Sequence, residues 1–278
     1  VNLDLLRIAS DRGVRLDLDP NLIPPRFLDG GKRQQKMEGV LKRMRAKQDF
    51  QMRVHPTWYV AKTGRITCQN PNILILPFEF FESSPNLLKD ISATSLEVIV
   101  TAKLLGITEL ADLLIGNPTS NATDLLLKED ALKGLLPPEG DPERKAQRSE
   151  FKMGLYMLLY GRRGQTLTQC HYQDKIKAVY PSLPIPRGRE ETEEENEERK
   201  AFIGQIHASV TALTLTVADM AEKSADCKVV GFCHDEVLIE YTGDSPEEAA
   251  ARLRTLSYDM LRSWSGVPVA PFSYLQEV

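Results

Sequence analysis

Near the end of the chain, the segment K-V-V-G-F-C-H-D-E-V-L-I-E-Y (Lys228 to Tyr241) sets His234, Asp235 and Glu236 between two apolar runs. The runs read as the strands of a hairpin, with the polar triplet at its turn. Burying the flanks while fixing two adjacent carboxylates at a tight turn is costly unless a cation neutralises them. The pattern is therefore that of a metal site. A small hairpin also needs a covering layer, which points to an α+β fold with helices on a small antiparallel sheet.

The covering helices are legible in order. After a short helical opening and a Pro/Gly-rich link, residues 32–47 carry Lys32, Arg33, Lys36, Lys42, Arg43, Arg45 and Lys47 against one acid, Glu38. Met37, Val40, Leu41 and Met44 have helical spacing, so the outer face either contacts phosphates or is simply solvated. Residues 51–77 alternate as strands around Val54, Trp58 and Val60, with a tight turn at Thr63-Gly64-Arg65 and loop punctuation at Pro71-Asn72. A strand ending near Asp90 turns into a helix through Ser92 and Ser95. Asp90 reads as a hard-metal ligand or as a helix cap. Two short helices follow, separated by Asn117-Pro118, then further helices at about 148–161 and 162–180. Arg187 to Lys200 is strongly acidic and reads as an exposed, partly disordered insert, because it has no apolar face. Long helices at 201–223 and 246–264 close the pattern, with a last strand and tail from Val267 to Val278.

Arg148, Lys152, Tyr156 and Tyr160 recur every four residues and form one stripe on a helix. By itself such a stripe reads as an amphipathic helix with snorkelling cations. Two cations followed by aromatic rings also suit a polyphosphate with a base or sugar beside it.

Composition excludes several classes. With 278 residues, 42% hydrophobic and 27% charged, the chain has room for two lobes and the balance of a soluble globular protein. The net charge of -4 argues against a wholly basic nucleic-acid coat, not against a local basic groove. No apolar run reaches membrane-spanning length, so no membrane partner is expected. Cys68, Cys170, Cys227 and Cys233 are widely spread and fit reduced thiols in the cytoplasm. Their spacing to histidines does not fit zinc.

Taken together, these pieces resemble the polymerase module of family A DNA polymerases. Thr63-Gly64-Arg65 with Asn70-Pro71-Asn72 and Pro77 is similar to the family's T-G-R-x-S-S-x-x-P-N-L-Q-N-I-P stretch, and Asp90-x-Ser92 to the start of D-Y-S-Q-I-E-L-R. Arg148, Lys152, Tyr156, Tyr160 and Gly161 resemble the fingers helix R-x-x-x-K-x-x-x-[FY]-x-x-x-Y-G, and His234-Asp235-Glu236 the second catalytic motif. The resemblance covers roughly residues 50–278. It implies a right-hand palm built on the small antiparallel sheet, a helical fingers lobe, and a thumb reduced or absent. The expected divisions are 1–50 as partial thumb or basic helical region, 51–105 as palm, 106–200 as fingers with the acidic insert 187–200, and 201–278 as palm again.

The resemblance also implies roles. Asp90 and Asp235 hold two Mg²⁺ ions, for which Mn²⁺ substitutes, and Glu236 supports them. Arg148 and Lys152 grip the triphosphate, with Lys152 assisting the leaving pyrophosphate. Tyr156 lies against the incoming sugar and Tyr160 near the templating base. Arg65, Asn72, His234, Arg199 and His207 face the primed template. The implied reaction is template-directed transfer from a dNTP to a primer 3′-hydroxyl, with DNA the expected template.

Departures from the pattern modify this. The family's sugar-gating Glu is Ser95 here, which implies relaxed exclusion of ribonucleotides, as in a primase-like or RNA-synthesising polymerase; the family's Arg two residues further on is Glu97. Ile203, His207 and Leu74 replace polar residues of the family, which implies a divergent enzyme of phage or plasmid type. Such an enzyme acts in the nucleoid, or in a host cytoplasm, and relies on a processivity, exonuclease or helicase partner or a missing domain. A catalytically inert, nucleic-acid-binding accessory module is the alternative from a different class.

Overall fold

The computed structural model describes residues 2–27, 31–77, 79–82, 87–88, 93–188, 191–233 and 235–268. Asp90, Ser92, His234 and the tail from 269 onward lie outside these residues. In chain order the elements are α1 (Asp4–Arg12), β1 (Val14–Arg15), α2 (Lys32–Arg45), β2 (Arg53–Val54), β3 (Thr57–Val60), β4 (Ile66–Gln69), α3 (Glu79–Glu82) and β5 (Leu87–Leu88). They continue with α4 (Leu96–Leu104), α5 (Thr108–Ile115), α6 (Ala122–Leu126), α7 (Arg144–Leu159) and α8 (Leu167–Val179). The last are α9 (Glu193–Glu222), β6 (Cys227–Cys233), β7 (Glu236–Tyr241) and α10 (Pro246–Ser263).

This is an α+β fold whose sheets are small and antiparallel. Chain contacts divide it into one unit from Val1–Ser92 and Thr211–Ser257 and another from Ala93–Val210 and Tyr258–Pro271. The divisions at 92 and 210 stand beside the sequence-based ones at 105 and 200.

The first unit holds a three-stranded sheet in the order β5-β7-β6 and two two-stranded ribbons, β1-β2 and β3-β4. The β6–β7 hairpin closes at Cys233 opposite Glu236, and Val237, Leu238 and Ile239 are all buried. A register shift between Val229 and Gly231 bends β6 where Gly231 meets Trp58. A Cβ on Gly231 would lie 2.8 Å from the Trp58 ring and 3.0 Å from Val14, so only glycine fits. Trp58 in turn stands edge-on to Phe232, with ring centroids 5.6 Å apart.

One charged network ties α1 to this sheet. Arg12 clamps Glu222 through both guanidinium nitrogens at 2.6 and 2.7 Å and donates to the Val229 carbonyl at 3.1 Å. Glu222 accepts in return from the Val229 N–H at 3.0 Å. The pair is half-buried, and its bidentate geometry with added backbone hydrogen bonds is what makes that burial tolerable.

In the second unit α7 and α8 pack closely because Gly154 faces the Gln169 carbonyl, 3.1 Å from where a Cβ would stand. The stretch expected to be partly disordered is instead helical from Glu193, so α9 begins eight residues before the expected start at Ala201. Thr192 and Glu195 form a capping box: the Glu195 carboxylate accepts from the Thr192 N–H at 2.9 Å, and the Thr192 hydroxyl accepts from the Glu195 N–H at 3.3 Å. Acids in the first turn also favour that helix end. Composition had hidden a helix start that needs no apolar face because caps and ion pairs supply it. By length and composition α9 could cross a bilayer, but 61% of that window is buried, as in a core helix.

Gly231→Ala is expected to cost about 1–3 kcal/mol, because the ring and strand must shift, and urea unfolding measures it. Burial works against the Glu222 charge, but Arg12 and the Val229 N–H hold its carboxyl below the ordinary 4.5. Its contribution is therefore complete above pH 4.5 and is lost as pH falls through the lowered value. A Glu222→Gln variant is expected to be less stable at neutral pH and to show a shallower loss of stability below that point.

Candidate functional site

In the first unit, two turns carry the polar residues singled out from the sequence. The β6–β7 turn presents Asp235 and Glu236, both half-buried. The β3–β4 turn presents Arg65, which is exposed, and Gly64 makes that turn with φ 83°. Both turns are fastened to α9. Thr211 donates its hydroxyl to the Gly64 carbonyl at 2.6 Å, and Thr214 donates to the Asp235 carbonyl at 3.4 Å. The two threonines are three residues apart, on one face of the helix, and both are buried. Sequence reasoning missed them, since a threonine in an apolar helix carries no motif. Their signal was the polar pair inside the run A-S-V-T-A-L-T-L-T-V.

The carboxylates at the turn set a negative local field. The Cys233 thiol is pushed up to about 11, first by burial and then by Glu236 and Asp235. Two hard oxygen donors in such a field fit a divalent cation. Asp90, the expected third donor, lies outside the described residues, as does His234. Among the described residues no group of three metal-ligating side chains occurs. Asn72 is exposed, and its side-chain oxygen caps the short turn at Ile73–Ile75 by accepting from Leu74 N–H at 3.0 Å.

The second unit holds the stripe. Lys152 is exposed, with its ammonium 5.9 Å from the centre of the half-buried Tyr156 ring. Arg148 is paired with Asp124 at 2.8 Å and with the Asn121 side-chain oxygen at 3.4 Å. Asn121 caps α6 and Asp124 lies in its first turn, and Ser95 anchors the same turn: its hydroxyl oxygen accepts from Ala122 N–H at 2.9 Å. Ser95 itself sits at φ 59°. The hydroxyl expected to meet a ribose is thus already used as an acceptor within the fold.

The stripe ends in a Schellman motif. Gly161, at φ 66°, donates to Leu158 O at 2.9 Å and Arg162 to Met157 O at 2.7 Å. The Y-G ending of the stripe therefore has a backbone cause. The buried Gln173 side chain pins this exit, donating to Gly154 O at 3.2 Å and Arg162 O at 2.8 Å while accepting from Gly164 N–H at 2.9 Å.

Tyr160 donates a short hydrogen bond to Glu97, and His207 Nε2 lies 3.3 Å from the same carboxylate. The Tyr160 and His207 rings meet edge-on at 5.9 Å. His207 is only 7% exposed, so its ring serves this cluster rather than an open surface. Arg199 is likewise enclosed: Glu191 accepts from it twice at 2.8 Å. The structure thus joins Tyr160 to Glu97 and His207, and Arg148 to the α6 turn held by Ser95. Asp235, Glu236, Arg65 and Asn72 belong to the other unit.

Comparison with known proteins gives one kind of match. No family model matches the sequence, and no curated protein does. Among solved structures the chain is similar to the polymerase domain of Pol1 from M. smegmatis, solved in complex with DNA primer-template and dNTP. The TM-score is 0.54 at 14% identity, covering 86% of this chain. The chain spans 50% of that neighbour's length. At this identity the likeness establishes a polymerase-like fold.

Thr211→Val is expected to lower stability by about 1 kcal/mol, the net value of a hydrogen bond, in urea unfolding. Thr214→Val, which frees the Asp235 turn, is expected to change stability less than Thr211→Val, because its bond is longer.

Proposed function

We propose that the chain is a template-directed DNA polymerase module that transfers nucleotides from a dNTP to a primer 3′-hydroxyl. The observation that carries this reading is the polymerase-like fold over 86% of the chain, in a protein whose β6–β7 turn presents adjacent carboxylates. The solved neighbour holds primer-template and dNTP, and the same partners suit the residues here. In this reading the first unit is the palm and the second the fingers, and the chain represents a divergent family A enzyme.

Asp90 and Asp235 would hold two Mg²⁺ ions, with Glu236 in support. Such ions activate a hydroxyl nucleophile and stabilise charge on the attacked phosphate. The chain's own residues do the rest. Lys152, exposed on α7, binds phosphate oxygens as a point charge. Arg148 exchanges Asp124 for a phosphate, an exchange of one charge-assisted partner for another that costs little. Tyr156 offers its half-buried ring to the sugar or base. Arg65, exposed on its turn, would face the primed duplex. Closure of α7 on the correct nucleotide would supply selection by induced fit.

Primer extension on a primed DNA template with Mg²⁺ tests the reading, with deoxy- and ribonucleotides in separate reactions. Extension is expected from deoxynucleotides, and Asp235→Asn is expected to reduce it by about 10³-fold or more, as removal of a metal ligand should. Equal extension by Asp235→Asn would overturn the assignment. Robust use of ribonucleotides would instead favour the RNA-synthesising alternative suggested by the small residue Ser95.

A further inference from the structure

Within the second unit, a cavity of about 370 Å³ is lined by Tyr160, Gly161, Phe202, Arg187, Glu198 and Arg199, among others. Both arginines are held there by the backbone and by acids. Arg187 lies on a segment paired with the end of the stripe helix: Arg187 N–H donates to Gly161 O at 2.9 Å and Arg163 N–H to Arg187 O at 2.8 Å. Gly161 leaves room for the Arg199 stem, which lies 3.6 Å from where a Cβ would stand.

The acids come from one short stretch. Glu191 takes Arg199 bidentately, and Asn196 accepts a further bond from it at 2.6 Å. Glu195 and Glu198 lie 3.8 and 3.5 Å from Arg187. With Arg162 adding its charge near Glu191, three cations face three carboxylates. The Arg199 side chain is only 10% exposed. Yet its Nη1, and the Nη1 of Arg187, are buried without a hydrogen-bond partner among the described residues. Each guanidinium therefore keeps a buried N–H group without a hydrogen bond, that of Arg187 facing Glu195 at 3.8 Å, an arrangement that costs free energy until an acceptor arrives.

A carboxylate and a phosphate present the same pair of oxygens to the guanidinium fork. We propose that Glu191, Glu195 and Glu198 act as an internal stand-in for phosphates, occupying Arg187 and Arg199 and competing with the nucleic-acid backbone for this cavity. The proposal rests on the polymerase reading for the identity of the competitor. Incoming phosphates displace the acidic stretch, bond the two guanidinium nitrogens thereby uncovered and release Glu191 to solvent. The stretch thus sets a threshold: weak or non-specific backbone contact is outcompeted, and a strand held elsewhere on the protein is not.

The test is fluorescence anisotropy of a labelled primed DNA template across a salt series. It compares the wild type with Glu191→Gln/Glu195→Gln/Glu198→Gln, and with a control, Glu193→Gln/Glu194→Gln/Glu197→Gln. Both variants remove three carboxylates, but Glu193 and Glu194 are exposed and Glu197 pairs with Lys200 instead. Glutamine at 195 still accepts from Thr192, so the capping box survives. The first variant is expected to bind about five- to tenfold more tightly near physiological salt than the control. Its plot of log K against log salt should be steeper by about 1–2, for one or two added phosphate contacts. Glu198→Gln alone, which touches only the exposed edge of the pair, should move both quantities in the same direction by less, and serves if the triple variant folds poorly. Equal affinity and slope for the two triple variants, or weaker binding by the first, would overturn the proposal and leave the polymerase reading intact. Absence of binding and of extension by every protein would overturn both.

Discussion

A helix that buries hydroxyl groups has to give each of them an acceptor, and in this protein that requirement organises α9. Thr211 and Thr214 lie on its buried face and spend their hydroxyls on the carbonyls of Gly64 and Asp235. Those carbonyls belong to the turns that carry Arg65 and the carboxylate pair. An unmade bond at either position would leave a buried donor at a cost of about 1–3 kcal/mol. The turns are therefore not free to choose their place: the helix specifies where the charged residues emerge.

A similar economy governs the second unit. Several of its arginines are held by carboxylates. Arg148 has Asp124, Arg163 has Asp174, Arg187 has Glu195 and Glu198, and Arg199 has Glu191. The exposed pairs among these contribute little to stability, whereas Arg199 and Glu191 are enclosed. Their consequence is for binding, because an anionic ligand at these arginines must displace a carboxylate already in place. Lys152 makes a contrast, exposed beside an aromatic ring.

The cluster of Tyr160, Glu97 and His207 carries two of the departures from the family pattern, Glu97 for Arg and His207 for Gln. The two altered residues meet in space, with His207 Nε2 3.3 Å from the Glu97 carboxylate. Seen together, they form one buried polar cluster within the fold, in which Tyr160 donates to Glu97 and His207 lies beside the same carboxylate.

Local pattern determined much of this protein by itself. Period-3.6 spacing placed α2 and the stripe helix, and apolar runs around a polar triplet placed the β6–β7 hairpin, because side-chain burial imposes those periods. The Y-G ending of the stripe marked a helix end that only glycine closes easily. What remained to tertiary structure was everything decided by partners distant in the chain. The acidic stretch looked disordered because its ordering comes from Arg187, Arg199 and a capping box rather than from an apolar face. Ser95 looked free because its acceptor role depends on Ala122, 27 residues away. Thr211 and Thr214 looked like ordinary core residues because the carbonyls they hold lie on other elements. Burial of a periodic face is written locally, whereas hydrogen bonds and ion pairs are satisfied only once the chain has brought their two halves together.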